Sequence, residues 1–352
     1  MKTKTLSLLE EFTQIIGISG DEKQVSQALA KQYKSLCDEI VYDNLGSIFA
    51  VKRCGKPNAK RVMVCAHMDE VGFMITEIHN NGTMSFIKIG NTDDASMHAQ
   101  RVRVKTNHEA VYGTIIAEDE AIQKCNGKAM RIDVGARNAQ EVKEMGIRVG
   151  DSVVFDGPFQ VLGKGNRVIS KAFQNRFGCV LGIELLEALK DISLPFDLYV
   201  GASVMEEVGI RGGITATGLI QPDLGIVLDC SLAQDIKGNE NANGKLGEGV
   251  LIRYYDKGMM PNRGLLQVFE TLCEKEAIKH QPFYSMGQND AAWIHKLFSG
   301  CPTLNICICG RNSHTANTMI DLNDYACAKQ SAISFVKQLD EKQIQYYKEF
   351  NR

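Results

Sequence analysis

The sequence predicts an α/β fold in which a mixed-sheet α/β sandwich is interrupted by a small β-rich domain. Strand patterns alternate with amphipathic helix patterns in the first 70 residues and again after residue 163, as in a sheet covered by helices. The stretch 61–66 is a continuous apolar run, which is typical of a central strand buried on both faces. Between 71 and 163, short strands alternate with turns instead. We therefore predict a core domain formed by 1–70 and 164–352, with 71–163 inserted into it.

Composition and charge are those of an ordinary globular protein. Of the 352 residues, 44% are apolar and 23% are charged, and the formal net charge is −2. This near-neutral balance argues against a nucleic-acid or anionic-lipid partner. Neither a signal-peptide pattern after Met1 nor a run of about 18 apolar residues is found, so we expect a cytoplasmic protein with no membrane partner. The eleven cysteines are odd in number and irregularly spaced, which argues against a disulfide framework.

The N-terminal part is predicted to contain two helices and three strands. Apolar residues from Leu6 to Ile16 recur at helical spacing, and the glycines at 17 and 20 end this helix. Asp21 is predicted to cap a second helix that extends to residue 37. Strands are predicted at 40–42, 47–52 and 61–66.

The insert is indicated by turn signals, such as Asn-Asn-Gly at 80–82 and Asn-Gly at 126–127, and by a single short helix at 139–145. After the insert, helices and strands alternate again, which favours one sheet with helices packed on it. Helices are predicted at 170–189, 264–277 and 323–339. Strands are predicted at 198–204, 224–228 and 303–309.

Four short polar motifs follow apolar strand patterns, where an α/β sheet places functional groups. His67 follows a buried strand, with Asp69 two residues later, and such a carboxylate fixes the tautomer of a metal-binding imidazole. Glu206 and Glu207 follow another apolar strand, and adjacent carboxylates are costly unless a cation or a proton offsets them. Taken singly, the first motif also fits a polar pair at a strand end, and the second fits an exposed acidic turn.

The other two motifs each supply one candidate ligand. Asp229 closes an apolar strand, where an acid is either an exposed cap or a ligand, and His314 lies in a polar loop after the strand at 303–309. Two histidines, an aspartate and a glutamate are the donors that a pair of divalent ions needs, and the remaining glutamate is the general base that such a site needs. The alternative is a zinc–thiolate site at Cys307 and Cys309, but no second Cys or His pair accompanies it.

Six motifs are specific together and occur in a characteristic order. They are 67–74 (HMDEVGFM), 170–172 (SKA), 176–178 (RFG), 206–212 (EEVGIRG), 229–231 (DCS) and 313–314 (SH). In these motifs, and over nearly the whole chain, the sequence resembles the glutamyl and tetrahedral (TET, deblocking) aminopeptidases, a family also labelled cellulase or endoglucanase M. The resemblance is closest to the glutamyl members. It implies the α/β sandwich of the zinc aminopeptidases and the removal of N-terminal residues from short peptides.

The resemblance also implies roles for individual residues. Glu206 would be the general base, and Asp69 would be the partner of a histidine ligand. The implied metals are zinc, cobalt or manganese, and the insert would be a dimerisation domain whose dimers assemble into a hollow dodecamer that admits short peptides. The implied ligands are Glu207 and His314 for one ion and His67 and Asp229 for the other.

One metal-bridging position departs from the family pattern. Where the family has Lys-Ala-x-Asp-Asp/Asn-Arg, this chain has Lys-Ala-Phe-Gln-Asn-Arg at 171–176, so Gln174 replaces the bridging aspartate. A carboxylate bridges through two charged oxygens, whereas an amide offers one good donor oxygen and no charge. Weaker occupancy of at least one metal position, and reduced or absent turnover, are therefore expected. A second departure is Gly-Gln-Asn-Asp at 287–290, where the family has a Gly-Gly-Thr-Asp type of loop.

Two other functions are weighed against an active aminopeptidase. The first is a catalytically silent paralogue that binds peptides or forms a shell. Gln174 favours this alternative, whereas the five retained site residues argue against simple decay of the site. The second is a cellulase, which needs two carboxylates across an open sugar-binding cleft. The mixture of histidines and carboxylates does not match that requirement.

Overall fold

The computed structural model describes residues 3–117, 126–236 and 241–352. Within these ranges the strands are β1 (Glu39–Tyr42), β2 (Ile48–Lys52), β3 (Arg61–His67), β4 (Gly72–Ile78), β5 (Met84–Ile89), β6 (Arg101–Val104), β7 (Val111–Ile116), β8 (Arg131–Asp133), β9 (Ser152–Phe155), β10 (Gln160–Leu162), β11 (Arg167–Ser170), β12 (Asp197–Ser203), β13 (Leu224–Leu232), β14 (Val250–Asp256), β15 (His280–Ser285), β16 (Thr303–Gly310) and β17 (Thr318–Asp321). The helices are α1 (Lys4–Gln14), α2 (Lys23–Tyr33), α3 (Ala139–Glu144), α4 (Phe173–Leu189), α5 (Arg211–Ile220), α6 (Arg263–Lys275), α7 (Ala291–Ile294), α8 (Leu322–Gln338) and α9 (Glu341–Glu349).

An eight-stranded mixed sheet forms the centre of the molecule, in the order β1-β2-β12-β3-β13-β16-β14-β15. The four central strands β12, β3, β13 and β16 run parallel, and every residue of β12 is buried. Their apolar runs follow from this burial, because helices cover a parallel sheet on both faces. The carboxyl ends of parallel strands also meet at one edge, so the residues that follow these strands lie close together.

Helices cover both faces of this sheet. On one face α4 packs on β3 and β13, and Val62, Val64 and Ala66 of β3 join the largest buried apolar cluster. On the other face α5 and α7 pack on the central strands, and Met63 and Cys65 join a second buried cluster. This alternation is the two-residue period of a strand, and it lets β3 contribute to two cores at once.

Strands β4 to β9 close into a small antiparallel barrel, in the order β4-β5-β8-β7-β6-β9. A separate buried cluster that includes Phe73, Val102 and Phe155 fills its interior, and the rings of Phe73 and Phe155 pack edge to face with centroids 5.2 Å apart. The predicted mixed α/β fold with a small β-rich unit is therefore confirmed. The barrel strands lie within the predicted insert, whose boundaries 71–163 stay a prediction.

The prediction that Asp21 caps the second helix is wrong. The residue at the N-cap of α2 is Glu22. Asp21 instead accepts hydrogen bonds from Lys105 Nζ at 2.5 Å and from Ser152 Oγ at 2.6 Å. Both donors belong to the barrel region, so the charge of Asp21 ties the loop before α2 to the barrel and is not available to the helix.

Other helix and strand boundaries differ modestly from the predictions, as is usual at element ends. The helix predicted at 170–189 begins at Phe173. Ser170 instead ends β11, which pairs with β17 in a separate sheet of order β10-β11-β17. Among the strands that the sequence does not reveal, β14 and β15 complete the central sheet, and Arg253 and Pro282 interrupt their apolar patterns.

A buried ion cluster joins the end of α1 to the segments after β3 and before α4. Glu70 accepts hydrogen bonds from Lys171 Nζ on both oxygens at 2.7 Å, and Arg176 Nη2 lies 3.3 Å from Glu70 Oε1. Lys171 also donates to the carbonyl of Ile15, and Arg176 donates to the carbonyl of Phe12. All three charged side chains are buried, so the cluster fixes the backbone that leads into the sheet edge where the predicted ligands lie.

The described part of the chain contains ten cysteines, all free thiols. Cys307 and Cys309 lie in β16 within a buried apolar cluster. Burial raises the pKa of the Cys307 thiol to about 12, which disfavours the thiolate that a zinc site at this position needs. In the same described residues, no helix is long and apolar enough to cross a membrane.

Candidate metal centre

The predicted ligands meet where parallel strands end, at one edge of the central sheet. His67 is the last residue of β3 and lies in register with Ser203, the last residue of β12. Glu206 and Glu207 follow β12 after two intervening residues, and His314 lies in the loop after β16. Strand order therefore brings together side chains that are far apart in the sequence.

Three buried polar atoms of the predicted ligands form no hydrogen bond of good geometry with the described residues. They are His67 Nε2, Glu207 Oε1 and His314 Nε2. His314 Nε2 lies 3.3 Å from Glu207 Oε1, His67 Nε2 lies 3.8 Å from Glu206 Oε2, and ligand atoms of His67, Glu206 and Glu207 all lie within 4.8 Å of one another. Unpartnered buried polar atoms are costly, and imidazole nitrogens beside carboxylate oxygens suit a divalent transition metal ion. The residues present therefore fit a metal ion.

His67, Glu206, Glu207 and His314 are here called the cluster. The carboxylates in and around it favour a bound cation. Burial raises the pKa of Glu206 well above its ordinary value, and the charges of Glu207 and Asp290 add to the effect although His67 opposes it. Burial opposes protonation of His67, but Glu206 and Asp69 outweigh it and raise its pKa well above the usual range. A divalent ion would let these groups stay deprotonated, so a metal ion and protons compete for the same place.

Asp69 lies behind His67 and is enclosed by hydrogen bonds. Its Oδ1 is 3.2 Å from His67 Nδ1, which keeps a proton on Nδ1 and turns Nε2 to the cluster, where a bound metal ion would take the place of the Nε2 proton. Asp69 also accepts hydrogen bonds from Ser19 Oγ at 2.6 Å and from the N–H groups of Glu206 and Glu207 at 3.1 and 3.0 Å. Burial alone would raise the pKa of Asp69, but His67 and these bonds lower it. The carboxylate is therefore ionised, which is the state that orients His67.

Asp229 reaches the cluster from within a strand. The prediction that it closes the strand is wrong, because β13 continues to Leu232 in its ladder with β16. Asp229 Oδ1 lies 4.0 Å from His67 Nε2. Its Oδ2 accepts a 2.9 Å hydrogen bond from Asn289 Nδ2, and Arg253 Nη1 lies 3.7 Å away. Both oxygens of Asp229 are thus held by the protein, because Oδ1 accepts a 2.7 Å hydrogen bond from the N–H group of Cys230 while it also faces His67.

Arg253 and Asn289 are contacts of Asp229 that the sequence analysis does not assign. Arg253 lies in β14, and its buried guanidinium also contacts Asp256 Oδ2 at 2.7 Å. No local pattern marks Arg253 as a contact of Asp229, because Asp229 lies in a different strand, β13. Asn289 belongs to the loop 287–290, and the departure of this loop from the family pattern is the one signal that draws attention to it.

Gln174 lies beside the cluster at the start of α4. Its half-buried side chain lines a small cavity together with Lys171 and His314. The peptide bond between Gln174 and Asn175 is cis, and Asn175 Nδ2 donates a 2.7 Å hydrogen bond to the carbonyl of Leu228 in β13. A neutral amide thus lies near one predicted ligand, at the position that the resemblance assigns to a bridging carboxylate.

Comparison with known proteins gives a consistent result. The M42 glutamyl aminopeptidase family matches residues 46–330. The chain is 31% identical to a glutamyl aminopeptidase of Lactococcus lactis subsp. cremoris, over 97% of this chain and 98% of that protein. Its structure is similar to that of a TET aminopeptidase from a marine-sediment Thaumarchaeota archaeon, with a TM-score of 0.93 and 30% identity over 98% of this chain and 100% of that chain. It is also similar to the TET1 peptidase of Pyrococcus horikoshii, which can assemble into a tetrahedron or a large octahedral shell, with a TM-score of 0.85 and 26% identity over 96% and 100% of the chains.

Proposed function

Because the chain belongs to the M42 glutamyl aminopeptidase family and is therefore a metal-dependent aminopeptidase, we propose that it removes the N-terminal residue of short peptides at the sheet-edge centre. The observation that carries this proposal is the group of buried, unpartnered nitrogen and oxygen atoms that face one another there. Such atoms are the donors that divalent ions take from proteins. The proposed ligands are His67, Glu207, Asp229 and His314, with Gln174 at the bridging position.

Two divalent ions, of zinc, cobalt or manganese, are proposed to bind at this centre. Glu207 and His314 would hold one ion, and His67 and Asp229 would hold the other. The 3.3 Å distance between Glu207 Oε1 and His314 Nε2 supports the first pair, because atoms bound to one ion lie this close together. The second pair is assigned from the family resemblance, since His67 Nε2 lies 4.0 Å from Asp229 Oδ1 and 3.8 Å from Glu206 Oε2. When bound, such ions polarise the scissile carbonyl and lower the pKa of water.

Glu206 is proposed to be the general base. It is buried beside His67 and Glu207, so its carboxylate would lie next to water activated by the bound ions, where a general base is needed. The carboxylate would accept a proton from the attacking water and return it to the departing amine. Asp69 would keep His67 in the tautomer that presents Nε2.

Gln174 is proposed to attenuate this activity. With Gln174, the proposed ligand set contains two carboxylates, whereas the family pattern gives three. Two ions close together then repel one another with less screening, so the second ion should bind more weakly than the first. A silent paralogue that binds peptides or forms a shell is the second candidate function, and Gln174 is the observation that favours it.

Metal content and peptidase activity test the proposed function together. Protein purified without chelator is analysed for bound metal, and hydrolysis of glutamyl- and leucyl-anilides is measured with added zinc, cobalt or manganese. Bound metal together with turnover supports an aminopeptidase. Metal-free protein without turnover under any of the ions contradicts it and favours the silent paralogue.

Replacing Gln174 with Asp is expected to strengthen binding of the second ion by about 10–100-fold and to raise turnover. The new carboxylate supplies a bridging ligand and a negative charge between the two ion positions. Titration against a competing chelator measures the affinity, and anilide hydrolysis measures the turnover. The matched control Gln174→Asn has the size of aspartate without its charge and should change neither quantity. If the Asp and Asn variants bind metal equally, position 174 does not bridge the ions.

We further propose that the chain forms a cytoplasmic shell assembled through the barrel. The free thiols of the described cysteines suit a reducing compartment. Ile87 and Tyr112 are large apolar side chains exposed on barrel strands, and an interface between chains would remove them from water. A dimer on each edge of a tetrahedron gives about twelve chains, so light scattering should show a particle of that size. Tyr112→Lys should shift the particle towards smaller species, and a monomeric wild-type protein would refute the assembly.

A further inference from the structure

The turn that carries Glu206 and Glu207 is held by two buried carboxylates from distant parts of the chain. Asp69 accepts the N–H groups of Glu206 and Glu207 at 3.1 and 3.0 Å. Glu22 Oε1 accepts the N–H group of Met205 at 2.9 Å. Three successive backbone donors therefore point at two acids, one located just after β3 and the other at the start of α2.

Glu22 accepts a hydrogen bond from Met205 instead of capping α2, which is the role expected from its position. It is the N-cap residue of α2, yet its side chain forms no capping hydrogen bond with the helix in the described structure. Its Oε1 instead accepts the N–H groups of Gly20 and Met205, both at 2.9 Å. The residue is only 5% exposed, and burial together with the charge of Asp69 raises the pKa of Glu22 to about 7. A buried carboxyl group is costly, so these two backbone hydrogen bonds are needed to offset the cost.

The backbone at Met205 needs such support. Met205 has a φ of 54°, a left-handed conformation that is unfavourable for a residue with a Cβ atom. Successive side chains of an extended strand point to opposite faces, but Glu206 and Glu207 both place a ligand atom in one cluster. The chain must therefore turn sharply after β12, and the hydrogen bond to Glu22 fixes the first residue of that turn.

We propose that Glu22 is a positioning residue for the acidic pair Glu206 and Glu207. This inference rests on the proposed function, because it assigns a further role at the same centre. Glu22 fixes Met205, so that the proposed base and the proposed ligand enter the cluster side by side. Asp69 supports the next two N–H groups and also orients His67, and Glu22 extends the support to the start of the turn.

Two substitutions at position 22 separate positioning from a general loss of stability. Glu22→Gln keeps a side-chain oxygen that accepts the same N–H groups, whereas Glu22→Ala removes it. Glu22→Ala is expected to lower zinc affinity by about 10–100-fold, and to lower kcat with KM nearly unchanged. Glu22→Gln is expected to stay close to the wild type in both respects. Competition with a chelator measures the zinc affinity.

Asp21→Ala provides the matched control. Asp21 anchors the same loop, but to Lys105 and Ser152 of the barrel region, so its removal tests loop anchoring alone. It is expected to leave zinc affinity unchanged. Hydrogen exchange over 205–207 gives a readout that needs neither metal nor turnover. Exchange there should quicken in Glu22→Ala, but not in Glu22→Gln or Asp21→Ala.

The proposal is overturned if Glu22→Ala matches the wild type in zinc affinity and in exchange over 205–207. It is also overturned if Asp21→Ala lowers zinc affinity and quickens exchange over 205–207 as much as Glu22→Ala does. Failure of the proposed function looks different: the wild type would show no peptidase turnover, while exchange over 205–207 would still report on Glu22. If Glu22→Ala does not fold, Glu22→Asp serves instead, since its shorter side chain withdraws the acceptor from Met205 and keeps the charge.

Discussion

Replacing Glu206 with Gln is expected to lower kcat by about 10²–10⁴-fold, which is the usual contribution of a general base. Glutamine has nearly the same shape as glutamate, but it does not accept a proton from the attacking water. Because Glu206 is not among the proposed ligands, the metal content per chain should stay near that of the wild type. Anilide hydrolysis and elemental analysis measure the two quantities, and the Gln174→Asp background is expected to provide a higher starting activity.

Glu207→Gln is the natural comparison, because the two glutamates are adjacent and have different proposed roles. Glu207 Oε1 faces His314 Nε2 at 3.3 Å, so its replacement should lower the metal content as well as the turnover. A Glu206→Gln protein that loses as much metal as Glu207→Gln would show that Glu206 is a ligand. A Glu206→Gln protein with full metal and full turnover would remove Glu206 from the mechanism.

Local sequence pattern identifies the centre to the extent that its residues follow buried strands. His67, Glu206 and Glu207 each come after an apolar run, and the geometry of parallel strands then brings them to one edge. Asp229 is recognisable for a different reason, because an acid next to an apolar run needs a partner. Its place inside β13 is not readable, since the extra residues of the strand depend on pairing with β16.

The contacts that support the centre are less accessible to sequence reasoning. Arg253 reaches Asp229 across the sheet, and Glu22 reaches Met205 from the start of α2. Each pair depends on the packing of elements far apart in the chain, whereas capping rules consider only the adjacent helix. The prediction that Asp21 caps α2 is wrong for this reason, because its partners lie in the barrel region.

Replacing Glu70 with Ala is expected to lower the free energy of unfolding by about 3–5 kcal/mol, the usual result of breaking a buried ion pair. Glu70 forms ion pairs with both Lys171 and Arg176, and all three side chains are buried. In the variant two cations would remain without their carboxylate, and the hydrogen bond from the N–H group of Gly17 to Glu70 would be lost. Urea denaturation followed by circular dichroism measures the change.

The protonation state of Lys171 determines how large the loss in the free energy of unfolding is in Glu70→Ala. Burial lowers the pKa of Lys171 to about 7 in spite of the Glu70 charge, so without Glu70 the amine can release its proton and reduce the cost. Arg176 does not lose its charge in this way, because a guanidinium stays protonated. The matched control Glu39→Ala removes an exposed carboxylate that pairs with Arg53, and its expected loss is about 1 kcal/mol or less. If the two variants have equal urea midpoints, the buried ion pairs of Glu70 stabilise the protein no more than the exposed pair of Glu39 does. That result would contradict the expected cost of leaving buried cations unpaired.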